Sequence, residues 1–458
     1  MPRETGEIYE FGSFRLDIAE RKIERTDGQT KGSLAEKAFQ TLVYLVRNSG
    51  TLIHKEELLS AVWSGIVVEE NNLGKAIHAI RQYLGDARDY IETVPKHGYR
   101  FVAPVVRVGG PTEPIASKNA RAVHSPGWDR YLRGKVKAGS ETKDDTIAAI
   151  EVLEEAVAVD PELAGAYAQL ARAYNTLAFK FSSDGVAKQL HEDAEVAILK
   201  ALTIDPDLAE AHFARGLILW TKRKGFPHEQ AIRSYKRSLE LDSNEDETHH
   251  QLSMVYSHIG LVEEAQESVS RALDINPNNT MARFRSGLYK AYQGKFDEGL
   301  AILKAVPREV SPLLVDRCKA DILVQQDKLD DARTIVEHYL REYPQDEGGS
   351  FTSVSAVIFA KLGEDVKSEA AIERAIKIGK GFGHFHHTEH NIAAAYAAMD
   401  KPEAAVRALE GAADGGFPNF TYFEIDPNLD RLRDNGRFLA LMNKLRVEME
   451  HLRQIART

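Results

Sequence analysis

Along the first hundred residues the spacing of apolar positions changes period several times. Alternating runs at Ile8–Phe11, Phe14–Asp17 and Lys22–Arg25 predict short β-strands, with Asp27-Gly28 as a turn. A helix is expected next. Ser33 and Glu36 form a capping-box pattern, Phe39, Leu42, Val43 and Val46 supply one apolar face, and Gly50 ends it. A second helix, about His54 to Val62, carries Leu58, Leu59 and Val62, and Trp63 then enters a turn containing Gly65. The third helix, about Glu70 to Leu84, has the sharpest pattern. At ~100° per residue, Leu73, Ile77, Ile80 and Leu84 fall in one narrow stripe. Asn71, Lys75, His78 and Gln82 fall almost opposite, flanked by Asn72 and Arg81. Two strands, Tyr90–Val94 and Tyr99–Val102, enclose Lys96-His97-Gly98, where Gly98 is expected to supply the positive φ of a tight turn.

Residues 108–126 change character. Gly109-Gly110-Pro111, Pro114, Ser117, Ser125 and Pro126 give them the composition of a flexible linker. From residue 127 to about 450 the pattern is helical and repeats. The spacing Ala-x3-large-x2-small runs through Ala194, Ile198 and Ala201, then Ala231, Tyr235 and Ser238, then Ala265, Val269 and Ala272, and again through Ala405, Leu409 and Ala412. Ala332, Val336 and Tyr339 give a copy with a large residue at the small position. Ser243 and Pro277, at matching places after two such helices, lie 34 residues apart. Small residues let antiparallel helices approach, the large partner fills the gap, and proline ends the second helix. The interval from Pro161 to Pro206 is longer, which implies an insertion around Phe179–Lys188. These periods resemble tetratricopeptide repeats, roughly seven or eight of them, and residues Phe438–Leu452 are expected to form a capping helix. The fold class that follows is an α+β winged helix-turn-helix head, residues 1–107, followed by an all-α tetratricopeptide-repeat solenoid.

Charge refines this division. The chain has 458 residues and a net charge of -10, which excludes a generally basic nucleic-acid coat. Residues 1–107 hold 15 Lys and Arg against 15 Asp and Glu, whereas the remainder holds 44 against 54. Within the neutral head, residues 71–85 carry Lys75 and Arg81 with no acid, and residues 93–112 carry Lys96, Arg100 and Arg107 with no acid. Positive charge therefore gathers on the third helix and on the hairpin after it. No apolar run approaches the ~18 residues of a membrane span, no apolar leader opens the chain, and the single Cys318 forms no intrachain disulfide. A cytoplasmic protein without membrane attachment is expected.

The polar face of the third helix has the chemistry of base recognition. Asn and Gln pair bidentately with adenine, and Lys with guanine. A helix of this kind beside a basic hairpin has the parts of a winged-helix DNA reader. The segments FGSFRLD, LAEKAFQTLVYLVRNSGTLIHKEELLSAVW, VVEENNLGKAIHAIRQYLGD and IETVPKHGYRF resemble the effector domain of the OmpR/PhoB-type winged-helix family. The resemblance implies an N-terminal antiparallel sheet, three helices and a C-terminal wing. It puts Asn71, Asn72, Lys75, His78 and Arg81 at recognition-helix positions and His97 and Arg100 in the wing, and the loop Trp63–Glu69 where family members meet RNA polymerase. Gln82 and Lys96 join the expected DNA-binding set by their places on the polar face and at the hairpin tip. Asn, His and Gln stand where many relatives carry arginine, which implies weaker phosphate attraction and a different target sequence. The combination of head and repeats is similar to HilA/CadC-like regulators, here without a membrane span. No receiver domain precedes the head, so phosphorylation of an aspartate in cis is not the expected switch.

Other motifs carry less. His386-His387-Thr388-Glu389-His390 contains H-x-x-E-H, with His384 nearby, a spacing that suits zinc on a helix. No motif supplies a third ligand, so His386, Glu389 and His390 are read as surface and groove residues and no metal or other cofactor is expected. Cys318 is read as core packing, and Gly379-Lys380-Gly381-Phe382-Gly383 lacks the Gly-Lys-Ser/Thr ending of a phosphate loop. No catalytic residue is assigned and an enzyme is not expected. The leading reading is a sequence-specific transcriptional regulator on double-stranded DNA. Its repeat body senses a protein or peptide in its groove, a small ligand, or a second copy of itself. The alternatives are a repeat scaffold with a vestigial head and, third, a zinc hydrolase at the histidine motif.

Overall fold

The computed structural model describes residues 8–18, 20–25, 34–50, 52–62, 70–94, 98–103, 105–108, 127–140, 142–182, 184–379 and 381–457. The chain divides into two compact units, Met1–Trp128 and Asp129–Thr458. The turn at Asp27-Gly28, Ser33, Trp63, Gly65, and the linker from Gly109 to Pro126 lie outside the described residues.

In the head, β1 (Ile8–Phe11), β2 (Phe14–Asp17) and β3 (Lys22–Arg25) form an antiparallel meander. Strand β7 (Val105–Val108) returns to pair antiparallel with β1, giving the order β3-β2-β1-β7. Helix α1 (Glu36–Arg47) starts later than its capping-box pattern suggests. Ala35 is its N-cap, and the Glu36 carboxylate is taken by Gln40 and Arg21. Gly50 follows the helix at φ +86°, in the left-handed region that glycine tolerates. A short strand, β4 (Leu52–His54), precedes α2 (Lys55–Val62). It joins β5 (Ile91–Val94) and β6 (Gly98–Phe101) in a second sheet ordered β4-β6-β5. Three residues are too few for a periodicity to register, and pairing with β6 alone makes β4 a strand. Gly98 opens β6, opposite Val94 and His54, rather than sitting within the turn. Helix α3 spans Glu70–Leu84. Leu73, Ile77, Ile80 and Leu84 are all buried, against Phe11, Phe39, Leu42, Leu45 and Phe101 among others.

Among the described residues the body contains eight antiparallel helix pairs. They are α4 and α5 (Trp128–Ser140, Lys143–Val159), α6 and α7 (Ala164–Phe181, Asp184–Ile204), and α8 and α9 (Ala209–Leu219, His228–Leu241). Next come α10 and α11 (Asp246–His258, Val262–Ile275), α12 and α13 (Thr280–Tyr292, Phe296–Ala305), and α14 and α15 (Pro312–Gln325, Leu329–Glu342). The last are α16 and α17 (Ser350–Lys361, Asp365–Gly379) and α18 and α19 (Phe385–Ala398, Pro402–Asp414). The Ala-x3-large-x2-small positions are the buried seam of the second helices: Ala231, Tyr235 and Ser238 in α9, and Ala265, Val269 and Ala272 in α11, are all buried. Gly216 of α8 shows how close the approach is, because a Cβ there would stand 2.4 Å from the Tyr235 ring. The long interval after Pro161 is taken up by lengthening α6 and α7 to 18 and 21 residues.

The end of the array departs from simple capping. Helices α20 (Phe420–Ile425) and α21 (Gly436–Arg457) turn back across earlier repeats. Asn419 Nδ2 donates to the Ser257 carbonyl at 2.6 Å and Thr421 Oγ1 to that of Gly260 at 2.7 Å. Lys361 Nζ donates to Asn428 Oδ1 at 3.0 Å. Helix α21 pairs Arg437 with Glu410 of α19 at one end. At its other end Arg453 meets Glu264 at 3.2 Å and the Ala456 carbonyl accepts from Lys236 Nζ at 2.8 Å. The expected terminal cap is therefore a tie between the eighth pair and the third and fourth. The first helices of the later pairs are consequently covered on two sides. In α16, Ser350, Thr352 and Ser353 are buried with the apolar residues, and in α18 so are His386, Thr388, His390 and Asn391.

Candidate nucleic-acid interface

The buried seam of α3 forces its other face outward. Lys75, His78 and Gln82 are exposed, and Asn72 is half-buried at the edge of that face. Asn71 lies on the same helix, one turn before Lys75. Tyr83, on the flank of the helix, donates its hydroxyl to the Ile23 carbonyl at 2.7 Å and anchors α3 to the first sheet.

Arg81 has a different task from its neighbours. Its Nη2 lies 2.6 Å from the Ile91 carbonyl and 2.6 Å from Thr93 Oγ1, both on β5. One guanidinium thus fixes the angle between helix and hairpin, and arginine suits this because its donors form a rigid fork. Arg100 also differs from the expectation of a free wing arginine. It stands opposite Glu92 in the β5–β6 register and opposite Leu52 in β4. Its side chain is 11% exposed and Nη1 donates to Glu92 Oε2 at 3.2 Å. Because β6 is the central strand of the second sheet, a side chain on it is walled by both neighbours. Lys96 and His97 lie outside the described residues, as does the Trp63–Glu69 loop. Among the described residues, then, Asn72, Lys75, His78 and Gln82 share one accessible face, while Arg81 and Arg100 brace the hairpin. Thr93, absent from the expected set, is found only through its bond to Arg81; no sequence pattern points to it.

The histidines of the H-x-x-E-H motif are not surface residues. His386 and His390 are one turn apart on α18 and both buried. The cause is the folded-back segment that covers their face. His390 Nε2 lies 3.0 Å from Asp426 Oδ2. Glu389 turns toward Gly411 and Gly415 of the following helix and is half-buried, and burial raises its carboxyl above the ordinary range. His386 Nδ1 donates to the Gly415 carbonyl at 2.7 Å. The three groups of the H-x-x-E-H spacing therefore face different neighbours and do not converge. Cys318 is buried in α14, and burial pushes its thiol up to about 11, far from a reactive thiolate.

Comparison with known proteins matches both units. Residues 29–101 match the family described as transcriptional regulatory protein, C terminal, and residues 246–279 match the tetratricopeptide repeat. The second range contains α10 and α11. The chain is 36% identical over 85 residues to the transcriptional regulator HilA of Salmonella typhimurium, a match covering 18% of this chain and 15% of that protein. It is 31% identical over 78 residues to the transcriptional activator CadC of Escherichia coli, covering 16% and 15%. The matched stretch thus spans about a seventh of either relative. Among solved structures, a Rap protein complexed with competence and sporulation factor superposes with a TM-score of 0.56 at 13% identity, over 70% of this chain and 99% of that one. That likeness concerns the helical-repeat fold alone. The head is a transcriptional-regulator DNA-binding domain of the OmpR/PhoB type, and the body is a tetratricopeptide-repeat array. Among the described residues no helix is long and apolar enough to cross a membrane.

Proposed function

We propose that a chain with this head and this array is a sequence-specific transcriptional regulator, reading a promoter through α3 and transmitting a signal received by the body. The observation that supports the reading is the division of α3. Its leucines and isoleucines are buried while Lys75, His78 and Gln82 remain exposed on the opposite side. In the major groove Lys75 would donate to guanine, and Asn72 or Gln82 would pair with adenine. Lys96 and His97 at the hairpin tip would meet the backbone. Arg81 and Arg100 would act indirectly, by holding the hairpin at its angle to the helix. Contact of the Trp63–Glu69 loop with RNA polymerase rests on the family resemblance, and such a regulator would work in the cytoplasm, where the DNA is.

Footprinting and gel shift with the full chain test this. Lys75→Ala should cost about 1–3 kcal/mol of discrimination between the operator and a mismatched site. Arg100→Ala should weaken binding to all sequences through a loosened hairpin. Absence of any footprint, with the body still capturing a protein partner, would favour the scaffold reading. The body's input would be a peptide, protein or second copy that binds the array. Because the chain's own 419–428 segment lies on the first helices of the later pairs, a peptide entering there would have to displace it.

A further inference from the structure

The fold-back of the array brings together four histidines that its repeat pattern does not call for. His258 is the last residue of α10, and His384, His386 and His387 lie at the start of α18. One ring nitrogen from each lies within 4.8 Å of those of the other three. The rings are packed among aromatic side chains, with Trp220 4.8 Å from His258, Phe226 5.7 Å from His386 and Phe417 4.7 Å from His387, centroid to centroid.

The hydrogen bonds around this cluster orient lone pairs into it. His258 Nδ1 is 2.8 Å from the Met254 carbonyl, and His386 Nδ1 is 2.7 Å from that of Gly415. A carbonyl only accepts, so in both rings Nδ1 carries the proton and Nε2 presents a bare lone pair. His258 Nε2 is buried and has no hydrogen-bond partner. His386 Nε2 faces His384 Nδ1 at 3.4 Å. Packing alone does not account for an orphaned lone pair beside three more imidazoles. A ring N–H given to a backbone carbonyl, with the other nitrogen turned to a shared point inside an apolar shell, is the arrangement that surrounds metal-bound histidine.

We propose that His258, His384, His386 and His387 form an all-histidine site for a divalent first-row transition-metal ion, Zn2+ fitting best, which pins the fourth helix pair to the eighth. Four neutral imidazoles select borderline-soft ions over Ca2+ or Mg2+. Zn–N bonds of about 2.0–2.1 Å in a tetrahedron put neighbouring nitrogens roughly 3.3 Å apart. The His384–His386 pair already has that spacing, and the other two rings draw inward on binding. The site differs from the H-x-x-E-H reading in its ligands: Glu389 and His390 take no part.

The test uses the full chain without an affinity tag, stripped with a chelator and dialysed against Zn2+ or Co2+. About one equivalent of Zn2+ per chain should be retained, raising the thermal midpoint of the body. The Co2+ form should show the intense visible bands of tetrahedral coordination. His258→Gln and His386→Gln should each lower Zn2+ affinity at least tenfold, whereas His451→Gln, a surface histidine, should leave it unchanged. Retention well below one equivalent at micromolar free Zn2+, weak six-coordinate Co2+ bands, or undiminished binding by a folded His258→Gln chain would each overturn the proposal. The Co2+ spectrum of the unaltered chain decides the matter even if the variants misfold.

Discussion

Helices α3 and α18 carry much the same polar residues and meet opposite fates. Each has histidine and asparagine on one side; in α3 leucine and isoleucine lie opposite, and in α18 alanines are interleaved with the polar residues. In α3 one face packs on the head core and the other remains open, so Lys75, His78 and Gln82 reach solvent. In α18 neighbouring helices cover one face and the returning 417–428 segment covers the other, so His386, His390 and Asn391 are buried. A polar face is therefore a binding surface or an internal network according to what lies over it. The network in the body is extensive. The Glu210 carboxylate accepts from Tyr131 at 2.8 Å and Gln169 at 2.9 Å and is paired with Lys135. Burial raises that carboxyl, but Lys135 and the hydrogen bonds outweigh it and leave it below the ordinary range.

The largest expected effect lies at the cover itself. Asp426 is fully buried, with Oδ1 accepting from the Asn428 backbone at 2.9 Å and Oδ2 facing His390. Asp426→Ala should cost the body about 1.5–3 kcal/mol, the range for hydrogen bonds to a charged group, measured by urea unfolding. A loss below about 1 kcal/mol would mean that the segment is only loosely seated. Gly216→Ala should come next, at about 1–3 kcal/mol, because the new methyl meets the Tyr235 ring. The two polar faces can then be compared directly. Asn391 Nδ2 donates to Asp321 and to Ser353, both at 3.3 Å, so Asn391→Ala should cost about 1–3 kcal/mol. His78→Ala should stay within about 0.5 kcal/mol in stability while altering DNA affinity. Equal stability losses would erase the contrast.

A further expected effect is a dependence on pH. Burial first, opposed by Lys135 and reinforced by Glu247, Glu210 and Asp242, raises Glu245 to about 7. The folded body therefore holds this proton more tightly than the unfolded chain, whose glutamate titrates near ~4.3. Stability falls as pH rises between those values, and the penalty is complete above about 7. Glu245→Gln removes it. The variant should melt higher than the parent at pH 8 and equally at pH 4, by calorimetry. A uniform shift at both values would indicate a packing effect instead.

Much of the architecture is legible in the order of residues. The seam Leu73, Ile77, Ile80 and Leu84 gives α3 its limits and its buried side. The alanine spacing gives the second helix of five of the eight repeats, because close approach of two helices leaves room for small side chains at those places. Local pattern fails where the neighbour is distant in the chain. Arg81 falls on the edge of the polar face by its angle, but its bonds go to β5. Arg100 lies in a basic hairpin, yet β4 on its far side turns it inward. Helix α1 begins at Glu36, whose carboxylate is bound by Arg21 and Gln40.

Periodicity and side-chain volume, which act within a few turns, were enough to specify two kinds of domain and the inner and outer sides of α3. The closing of the array on itself depended on contacts between the third or fourth helix pair and the last. Such contacts carry no short-range signature, because each partner reads locally as an ordinary polar or amphipathic helix. Only that closure buries the histidines of α18 and gathers His258 beside them, since burial belongs to the pair of surfaces and not to either sequence alone.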